Sequence, residues 1–395
     1  MPKPESITFS TYQISLKSRF QTALRSIDNF DVYQLKVELP SGEDLISEVV
    51  ATPAITGVLA EVLVRDVHEI LIPILKESSL ENAEDLYNNL SLNLPNNPTA
   101  RALGDLALTS RNKSSQTITI KTDVTVPICN VEDMGILISE RISEGFTAFK
   151  IKLSEDSLAN NLEKIKMLNQ LTPQDSILRV DPNQSWSVDY SIAFLEALDS
   201  LSIGLEYLEQ PIHKDDMKGL ALIRQNSSTA IMADEACFSL DDLNRIIEME
   251  AADWVNIKIL KSGGVTPARE MAAVALNNGL HLSIGCMIES PLGVRAAMQL
   301  AHEFAPDETH DLDAAWWYLQ EKLKYEEAKA KIKEINNGNQ KDLKNLSICG
   351  VEHCPDYAGL FNFILNNGLR SKLRTSSKMR THMITFKEGK SLKRA

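Results

Sequence analysis

The sequence has no uninterrupted apolar run long enough to span a membrane, and its first residues lack the apolar stretch of a signal peptide. We therefore expect no membrane partner. Cysteines are also few, five in 395 residues, and they form no compact framework. This excludes a disulfide-stapled secreted fold and predicts reduced thiols in a cytoplasmic protein.

Positive charge is in short supply as well. The chain has 41 Lys and Arg against 54 Asp and Glu, a net charge of −13, which argues against a nucleic-acid partner for the body of the protein. The end of the chain, from Arg370 onward, is basic, and we interpret it as a solvated tail. The composition is otherwise that of a globular protein, and 395 residues suit a barrel plus a smaller domain.

What the sequence does contain is five short apolar runs that each lead to a polar or charged residue. These residues are Lys152, Asp181, Glu209, Asp234 and Lys258, at the ends of the runs 148–152, 177–183, 205–211, 231–235 and 255–258. Their separations are 29, 28, 25 and 24 residues. That period corresponds to one strand, one helix and two turns, the repeat of a βα barrel.

The strands of a parallel barrel end at one face, where the active sites of such barrels lie. The carboxylates of Asp181, Glu209 and Asp234 therefore converge, and unpaired acids at close range repel one another. A divalent cation removes this conflict, and hard oxygen ligands suit Mg²⁺. Lys152 precedes the acids and Lys258 follows them. In a closed ring the two lysines flank the metal from opposite sides, as a reaction that removes and returns a proton requires.

Five motifs carry a resemblance to a known family: Lys150-Ile-Lys152, Asp181-Pro-Asn183, Glu209-Gln-Pro211, Asp234-Glu235 and Lys258. They resemble the enolase superfamily, muconate-lactonising subgroup. The resemblance implies an α/β fold, a (β/α)7β modified TIM barrel with an α+β capping domain. It also implies one Mg²⁺ per subunit, bound by Asp181, Glu209 and Asp234. Lys152 and Lys258 would be the acid/base catalysts, and Lys150 would help to lower the pKa of Lys152.

The same resemblance assigns residues 1–115 to the capping domain and 116–318 to the barrel. The chain departs from the family over 319–395, an atypical region. There the charged residues at helical spacing over 321–346 predict a solvated helical insertion, and the residues near Met383 predict a strand that returns to the cap. The connection near 111–116 is shorter than in the family layout. Cys349, His353 and Cys354 are irregularly spaced and lack a second ligand pair, so we do not assign them to zinc.

Four further residues match the dipeptide epimerases of the superfamily. By this resemblance, Arg25 would face the acidic side chain of an Ala-Glu substrate, and Thr125 would line the substrate. Asp311 and Asp313 would hold its α-ammonium, since two aspartates two apart in a strand point the same way and bind an ammonium group by charge-assisted hydrogen bonds. His281 begins the seventh strand, away from the site, and is expected to be structural.

The predicted function is Mg²⁺-dependent epimerisation of a dipeptide of the L-Ala-D/L-Glu type, by proton transfer at the α-carbon of the C-terminal residue in a homo-oligomeric enzyme. One alternative is a cycloisomerase, an N-acylamino-acid racemase or an o-succinylbenzoate synthase, whose substrates lack the ammonium that Asp311 and Asp313 would bind. The other is a degenerate, non-catalytic binding protein. The short connection and unusual C-terminal region suggest it, whereas the complete set of five strand-end residues argues against it.

Overall fold

The computed structural model describes residues 3–78, 80, 82–109, 118–318 and 383–386. The predicted insertion over 321–346, the Cys349 to Cys354 segment, the short connection near 111–116 and, apart from 383–386, the basic tail lie outside these residues. No helix in the described part of the chain is long and apolar enough to cross a membrane.

An antiparallel sheet of three strands begins the chain. β1 (Ser6–Gln21) pairs with β2 (Ser26–Glu38), and β2 pairs with β3 (Asp44–Val50). The register of β1 and β2 shifts between Ser15 and Phe20, and the hairpin closes with a turn in which the Thr22 N–H donates to the Arg25 carbonyl at 2.9 Å. This hairpin is the element that presents Arg25.

Five helices and a π-helical turn complete the cap. The helices are α1 (Pro53–Thr56), α2 (Ala60–Asp66), α3 (Ile72–Glu77), α4 (Ala83–Asn93) and α5 (Pro98–Thr109), and the π turn is Val67–Leu71. Ten of the twelve residues of α5 are buried. Small residues allow this close packing, since a Cβ atom on Gly104 would lie 2.7 Å from side-chain atoms of Leu71 and of Leu90.

The barrel strands follow in chain order. They are β4 (Ile118–Thr122), β5 (Val124–Val126), β6 (Ala148–Lys152), β7 (Ile177–Asp181), β8 (Tyr207–Glu209), β9 (Ala230–Ala233), β10 (Trp254–Lys258), β11 (His281–Gly285) and β12 (Thr309–His310). β5 to β11 form one parallel sheet in sequential order. β4 pairs with β12, and a parallel bridge joins Gly285 to Asp311, so β4 and β5 act as two halves of a first strand that links both sides of the ring.

The helices between these strands are α6 (Val131–Glu144), α7 (Leu158–Leu171), α8 (Val188–Ser200), α9 (Met217–Gln225), α10 (Leu240–Glu248), α11 (Ile259–Ser262), α12 (Val265–Asn277) and α13 (Pro291–Phe304). A short helix, α14 (Ala314–Tyr318), follows β12. Within 118–318, seven strand-to-strand connections are therefore helical. This confirms the predicted (β/α)7β barrel, with α11 as an extra turn after β10.

Local sequence signals explain where these helices begin and end. The side chain of Asn130 accepts the N–H of Asp133 at the start of α6, and Gly145 ends the same helix with φ 96°. Ser157 and Ser187 cap α7 and α8 in the same way. These caps fix the helix lengths and thereby the separations of the strand ends.

Asp105 joins the cap to the barrel. Its Oδ2 accepts the backbone N–H groups of Val265 at 2.6 Å and of Thr266 at 3.0 Å, which are free donors at the start of α12. A carboxylate there also interacts favourably with the helix dipole. Gly264 allows this approach, because a Cβ on it would lie 2.6 Å from Asp105 Oδ2.

The last described strand differs from the prediction. β13 (Met383–Phe386) forms where a strand was expected, but it pairs antiparallel with β4 of the barrel rather than with the cap sheet. The reason lies in the break at Asp123: β6 pairs with β5, so the edge of β4 on that side remains open for another strand.

Candidate active site

The five predicted strand-end residues converge at one end of the barrel. Lys152, Asp181, Glu209 and Lys258 are the last residues of β6, β7, β8 and β10, and Asp234 directly follows β9. All five are buried, with exposed fractions of 0 to 7%. The three acids lie on adjacent strands between the two lysines, so the arrangement predicted from the chain order is present.

Lys150 lies at the centre of the carboxylates. Its Nζ is 2.7 Å from Glu209 Oε2, 2.8 Å from Asp311 Oδ2 and 3.3 Å from Asp181 Oδ2. The Asp311 contact is a hydrogen bond. Glu209 Oε2, in contrast, accepts no aligned hydrogen bond in the described structure, so the ion pair there rests on proximity alone.

The catalytic candidates are held by the acids next to them. Lys152 Nζ donates to Asp181 Oδ2. Lys258 Nζ donates to Asp234 Oδ2 at 2.7 Å and lies 3.8 Å from Asp311 Oδ2. Both ammonium groups therefore point into the same acidic pocket, from strands that three other strands separate.

The pKa values of the acids diverge although all are buried. Burial, assisted by Asp181 and Asp234, raises the pKa of Glu209 to about 7. Burial also raises the pKa of Glu235 to about 8. For Asp234, burial is outweighed by Lys258 and Lys261, and its pKa lies well below the usual range. Asp234 accepts hydrogen bonds from two lysines and keeps its charge, whereas the single ion pair of Glu209 with Lys150 does not offset the effect of its burial.

Two of the lysines, Lys150 and Lys258, have pKa values above the ordinary value. Burial alone would lower the pKa of Lys150, but Asp311, Glu209 and Asp181 outweigh it and raise this pKa well above the usual value. Asp234 likewise raises the pKa of Lys258 against the effect of burial. In this arrangement both side chains are firmly cationic.

Several supporting residues were not singled out from the sequence. Lys261 Nζ donates to Asp234 Oδ1, and Asn256 Nδ2 donates to Glu209 Oε1 at 3.0 Å. Asn183 Nδ2 donates to Glu235 Oε1 at 3.1 Å. Asn183 has φ 46° and Gln210 φ 33°, unusual values for residues other than glycine. Asn183 and Gln210 lie within the quoted motifs, which is the signal that could have identified them.

The predicted substrate residues lie around the same pocket. Thr125 is buried in β5, and its N–H donates to Asp313 Oδ2 at 2.7 Å. Asp311 Oδ2 receives Lys150, as described above. For Asp311, burial is outweighed by Lys150 and Lys258, so its pKa lies well below the usual range. Burial and Asp311 raise the pKa of Asp313. The two aspartates thus form a paired anionic surface beside the lysines.

Arg25 sits in the β1–β2 turn and is half-buried. Burial lowers the pKa of its guanidinium to about 10, against the opposing charge of Glu289. Within the described residues, its side chain makes no hydrogen bond or ion pair, and its nearest ring contact is Phe20 at 6.0 Å. A half-buried cation of this kind is suited to an anionic group from outside the protein.

Glu289 lies four residues after the end of β11 and was not singled out from the sequence. It is 3% exposed, and its Oε1 accepts the Met287 N–H at 2.7 Å. Burial raises its pKa to about 7, while Met287, Lys258 and Arg25 oppose this change. Glu289 is therefore a buried acid whose charge interacts with both Lys258 and Arg25.

His281 and His310 are outside this chemistry. His281 begins β11 and stacks on Trp254 at 4.7 Å, at the opposite end of the strands, where a structural role was expected. His310 Nδ1 accepts the Ile284 N–H at 3.0 Å, and burial lowers its pKa to about 4. His310 thus ties β12 to β11.

Asp181, Glu209 and Asp234 are the residues that could hold a metal ion. Among the described residues, no three His, Cys, Asp or Glu side chains are grouped closely enough to hold a metal ion as they stand. Lysine ammonium groups contact the carboxylates of Asp181, Glu209 and Asp234 instead. The donor set nevertheless suits a hard cation. Asp181, Glu209 and Asp234 are buried carboxylates on neighbouring strands, and Glu209 retains an oxygen without a hydrogen bond.

Comparison with known families decides the relationship. A family model described as Enolase C-terminal domain-like matches residues 133–337, more than half of the chain. The chain belongs to this family. The match spans β6 to β12, and so it includes the strand ends that carry the two lysines and three acids.

Relatives and solved structures extend the similarity to the cap. The L-Ala-D/L-Glu epimerase of Bacillus subtilis is 28% identical over 319 residues, which are 78% of this chain and 87% of that protein. The structure of its substrate-liganded complex matches with a TM-score of 0.76 over 81% of this chain and 92% of that one. The Enterococcus faecalis dipeptide epimerase, complexed with Mg and L-Leu-L-Tyr, is 25% identical, with a TM-score of 0.75 and coverage of 81% and 93%.

Proposed function

We propose that this enolase-family protein is a Mg²⁺-dependent dipeptide epimerase of the L-Ala-D/L-Glu type. One observation carries the proposal: three buried acids on adjacent strands lie between two lysines that reach the same pocket from β6 and β10. The similarity to L-Ala-D/L-Glu epimerases over most of both chains supports it.

Asp181, Glu209 and Asp234 would hold the ion. The chemistry that Mg²⁺ supplies when bound is stabilisation of the negative charge that grows on the substrate carboxylate as the α-proton leaves. Lys261 and Asn256 orient two of these acids, since they donate to Asp234 and Glu209.

Lys152 and Lys258 would move the protons. One lysine removes the α-proton of the C-terminal residue, and the other returns a proton to the opposite face of the same carbon. Their positions on β6 and β10, with the acids between them, suit such a two-base reaction. Lys150 holds Asp311, Glu209 and Asp181 together and keeps the charge of the pocket in balance.

The four remaining site residues would bind the two ends of the dipeptide. Arg25 would bind an acidic side chain, Asp311 and Asp313 would bind the free ammonium group, and Thr125 would line the site. Asp311 and Asp313 argue against the alternative substrates of the superfamily, which offer no ammonium group for two buried aspartates.

The sequence motivates further proposals. We assign residues 1–115 to the capping domain, 116–318 to the barrel and 319–395 to a C-terminal region, and we place the enzyme in the cytoplasm as a homo-oligomer. Cys129, Cys237 and Cys286 are free thiols, in keeping with that compartment. Light scattering coupled to size-exclusion chromatography tests the oligomer directly.

The decisive experiment is α-proton exchange followed by NMR. The protein is incubated with L-Ala-L-Glu in D₂O, once with Mg²⁺ and once with EDTA. We expect loss of the Glu α-proton signal and appearance of the epimer with metal alone. If no α-proton exchanges, either in this dipeptide or in a mixed dipeptide library, the proposal is wrong and the non-catalytic alternative is favoured.

A further inference from the structure

Trp317 contacts Asp313, one of the proposed substrate-binding residues of the candidate active site. It lies in α14, directly after the Asp311 and Asp313 pair, and is 2% exposed. Its indole N–H donates to Asp313 Oδ2 at 3.1 Å. The same oxygen accepts the Thr125 N–H at 2.7 Å. Two fixed donors, one from β5 and one from α14, thus set the orientation of this carboxylate.

The other side of Trp317 meets the cap. Its ring packs edge-on against Phe20, with ring centres 4.9 Å apart and planes at 82°. Phe20 lies in β1 at the base of the hairpin that ends in Arg25, and the Arg25 guanidinium lies 6.0 Å from the Phe20 ring centre. A line of contacts therefore runs from Arg25 through Phe20 and Trp317 to Asp313.

The neighbouring Trp316 keeps α14 in place. Its ring lies 4.0 Å from Lys17 Nζ of the cap and 3.7 Å from the Arg141 guanidinium carbon of α6. Tyr318 adds a ring contact to Phe30 in β2 at 5.9 Å. Cation–π contacts on both sides of Trp316 clamp the short helix between cap and barrel, so Trp317 is held rigidly.

We propose that Trp317 is a positioning residue that holds Asp313 for the ammonium group of the dipeptide and connects it to the hairpin that carries Arg25. This inference rests on the proposed function. A carboxylate binds an ammonium group well when its orientation is already fixed, because no rotamer freedom is then lost on binding. The indole N–H also stabilises the charged form of Asp313, which burial disfavours.

The test compares Trp317→Phe with Trp316→Phe in the Mg²⁺-loaded enzyme. Trp317→Phe keeps a ring against Phe20 but removes the N–H that Asp313 accepts. Trp316→Phe is the matched control, because it makes the same change in the adjacent residue but keeps a ring between Lys17 and Arg141. It leaves the backbone N–H that donates to the Asp313 carbonyl at 2.8 Å and removes no side-chain hydrogen bond to the site within the described residues. Thermal unfolding of both variants checks that α14 remains folded.

Two compounds distinguish a loss of Asp313 positioning from a general disturbance of the active site. They are L-Ala-L-Glu and N-propionyl-L-Glu, which has nearly the same shape but no ammonium group. For Trp317→Phe we expect KM for the dipeptide to rise about tenfold with kcat within about twofold, the scale of one hydrogen bond to a charged group. The KM or inhibition constant of the propionyl compound should not change, and Trp316→Phe should alter neither.

A double-mutant cycle provides an independent readout. If Trp317 acts through Asp313, then Trp317→Phe should add little to the loss of dipeptide affinity caused by Asp313→Asn. Equal losses for both compounds, additive losses in the cycle, or an unchanged dipeptide KM would each overturn the inference. Calorimetric binding constants give the same comparison without turnover, so a wild-type protein that binds the dipeptide but does not epimerise it would count against the proposed function alone.

Discussion

Lys152 ends β6 and Lys258 ends β10, and each of the three strands between them leads to a carboxylate. Because each lysine would serve one face of the α-carbon, Lys152→Ala and Lys258→Ala should each abolish epimerisation, with a loss of about a thousandfold or more. One variant should still exchange the α-proton of a single enantiomer. NMR in D₂O with L-Ala-L-Glu and with L-Ala-D-Glu measures both reactions.

The control for the lysine variants is Lys166→Ala, which removes an exposed lysine on the outer helix α7. It should retain wild-type rates. Full activity in both Lys152→Ala and Lys258→Ala would rule out the two-base mechanism.

The raised pKa of Glu289 leads to a prediction about the stability of the protein rather than its catalysis. Its pKa is about 7 in the folded protein against an ordinary 4.5, so the native state keeps a proton that the unfolded chain releases. The free energy of unfolding should therefore fall as pH rises from about 4.5 to about 7, by about 3 kcal/mol from this group. Glu289→Gln should remove that part of the slope in urea denaturation across this pH range.

The comparison for Glu289 is Glu196→Gln, on the exposed face of α8. This variant should keep the wild-type pH dependence. A Glu289→Gln profile parallel to wild type would mean that Glu289 is ionised in the folded protein at pH 5.

Residues that the sequence did reveal are those whose role follows from strand position alone. Lys152, Asp181, Glu209 and Lys258 end their strands, and a period of 24 to 29 residues is enough to predict this. Trp317 could not be found in the same way. Its partner Asp313 is near in sequence, but its other contact, Phe20, depends on how the cap docks.

At the scale of elements, the most specific connection between cap and barrel is the contact of α5 with α12, where Asp105 accepts the N–H groups of Val265 and Thr266. We call this contact the seam. Asp105→Ala would leave the buried N–H of Val265 and the part-buried N–H of Thr266 without an acceptor. We expect a loss of about 2 to 3 kcal/mol in the free energy of unfolding, at the upper end of helix-cap effects because the site is buried. Urea denaturation of the whole chain measures it.

Asn130→Ala is the matched change for Asp105→Ala, since it removes a cap from α6 at an exposed site. It should cost about 1 kcal/mol. If the two variants lose the same stability, the seam contributes no more than an ordinary helix cap.

The sequence also predicted most of the elements, with instructive exceptions. The alternating, β-branched run over 118–126 predicts one continuous strand, but Asp123 divides it into β4 and β5. Arg179 explains the break, because its guanidinium donates to the buried Asp123 Oδ2 at 2.7 Å. The pairing of β13 with β4 was missed for a related reason. Side-chain alternation predicts a strand but does not identify the edge that it joins.

At the scale of the whole molecule, the net charge of −13 is accompanied by a dense group of acids at the barrel mouth. A bound cation should stabilise the folded state, because it relieves repulsion among carboxylates that lie together only when the chain is folded. At a hundred times its dissociation constant, Mg²⁺ should add about 2.7 kcal/mol and raise Tm by several degrees. Differential scanning fluorimetry with Mg²⁺ and with EDTA measures the shift.

Glu209→Gln separates this effect from general salt stabilisation, because it removes one proposed ligand without emptying the core. The variant should show a much smaller Mg²⁺-dependent rise in Tm. An equal rise in both proteins would place the ion elsewhere.

The pairing of β13 with β4 affects how the protein is made. On the ribosome, the first strand of the barrel emerges long before residues 383–386, which pair with its open edge. That edge lacks β13 until residues 383–386 have been synthesised, and exposed strand edges invite aggregation in nascent chains. Completion of the barrel wall is therefore a late event in biosynthesis, and chaperones that protect nascent chains have a defined strand edge to cover.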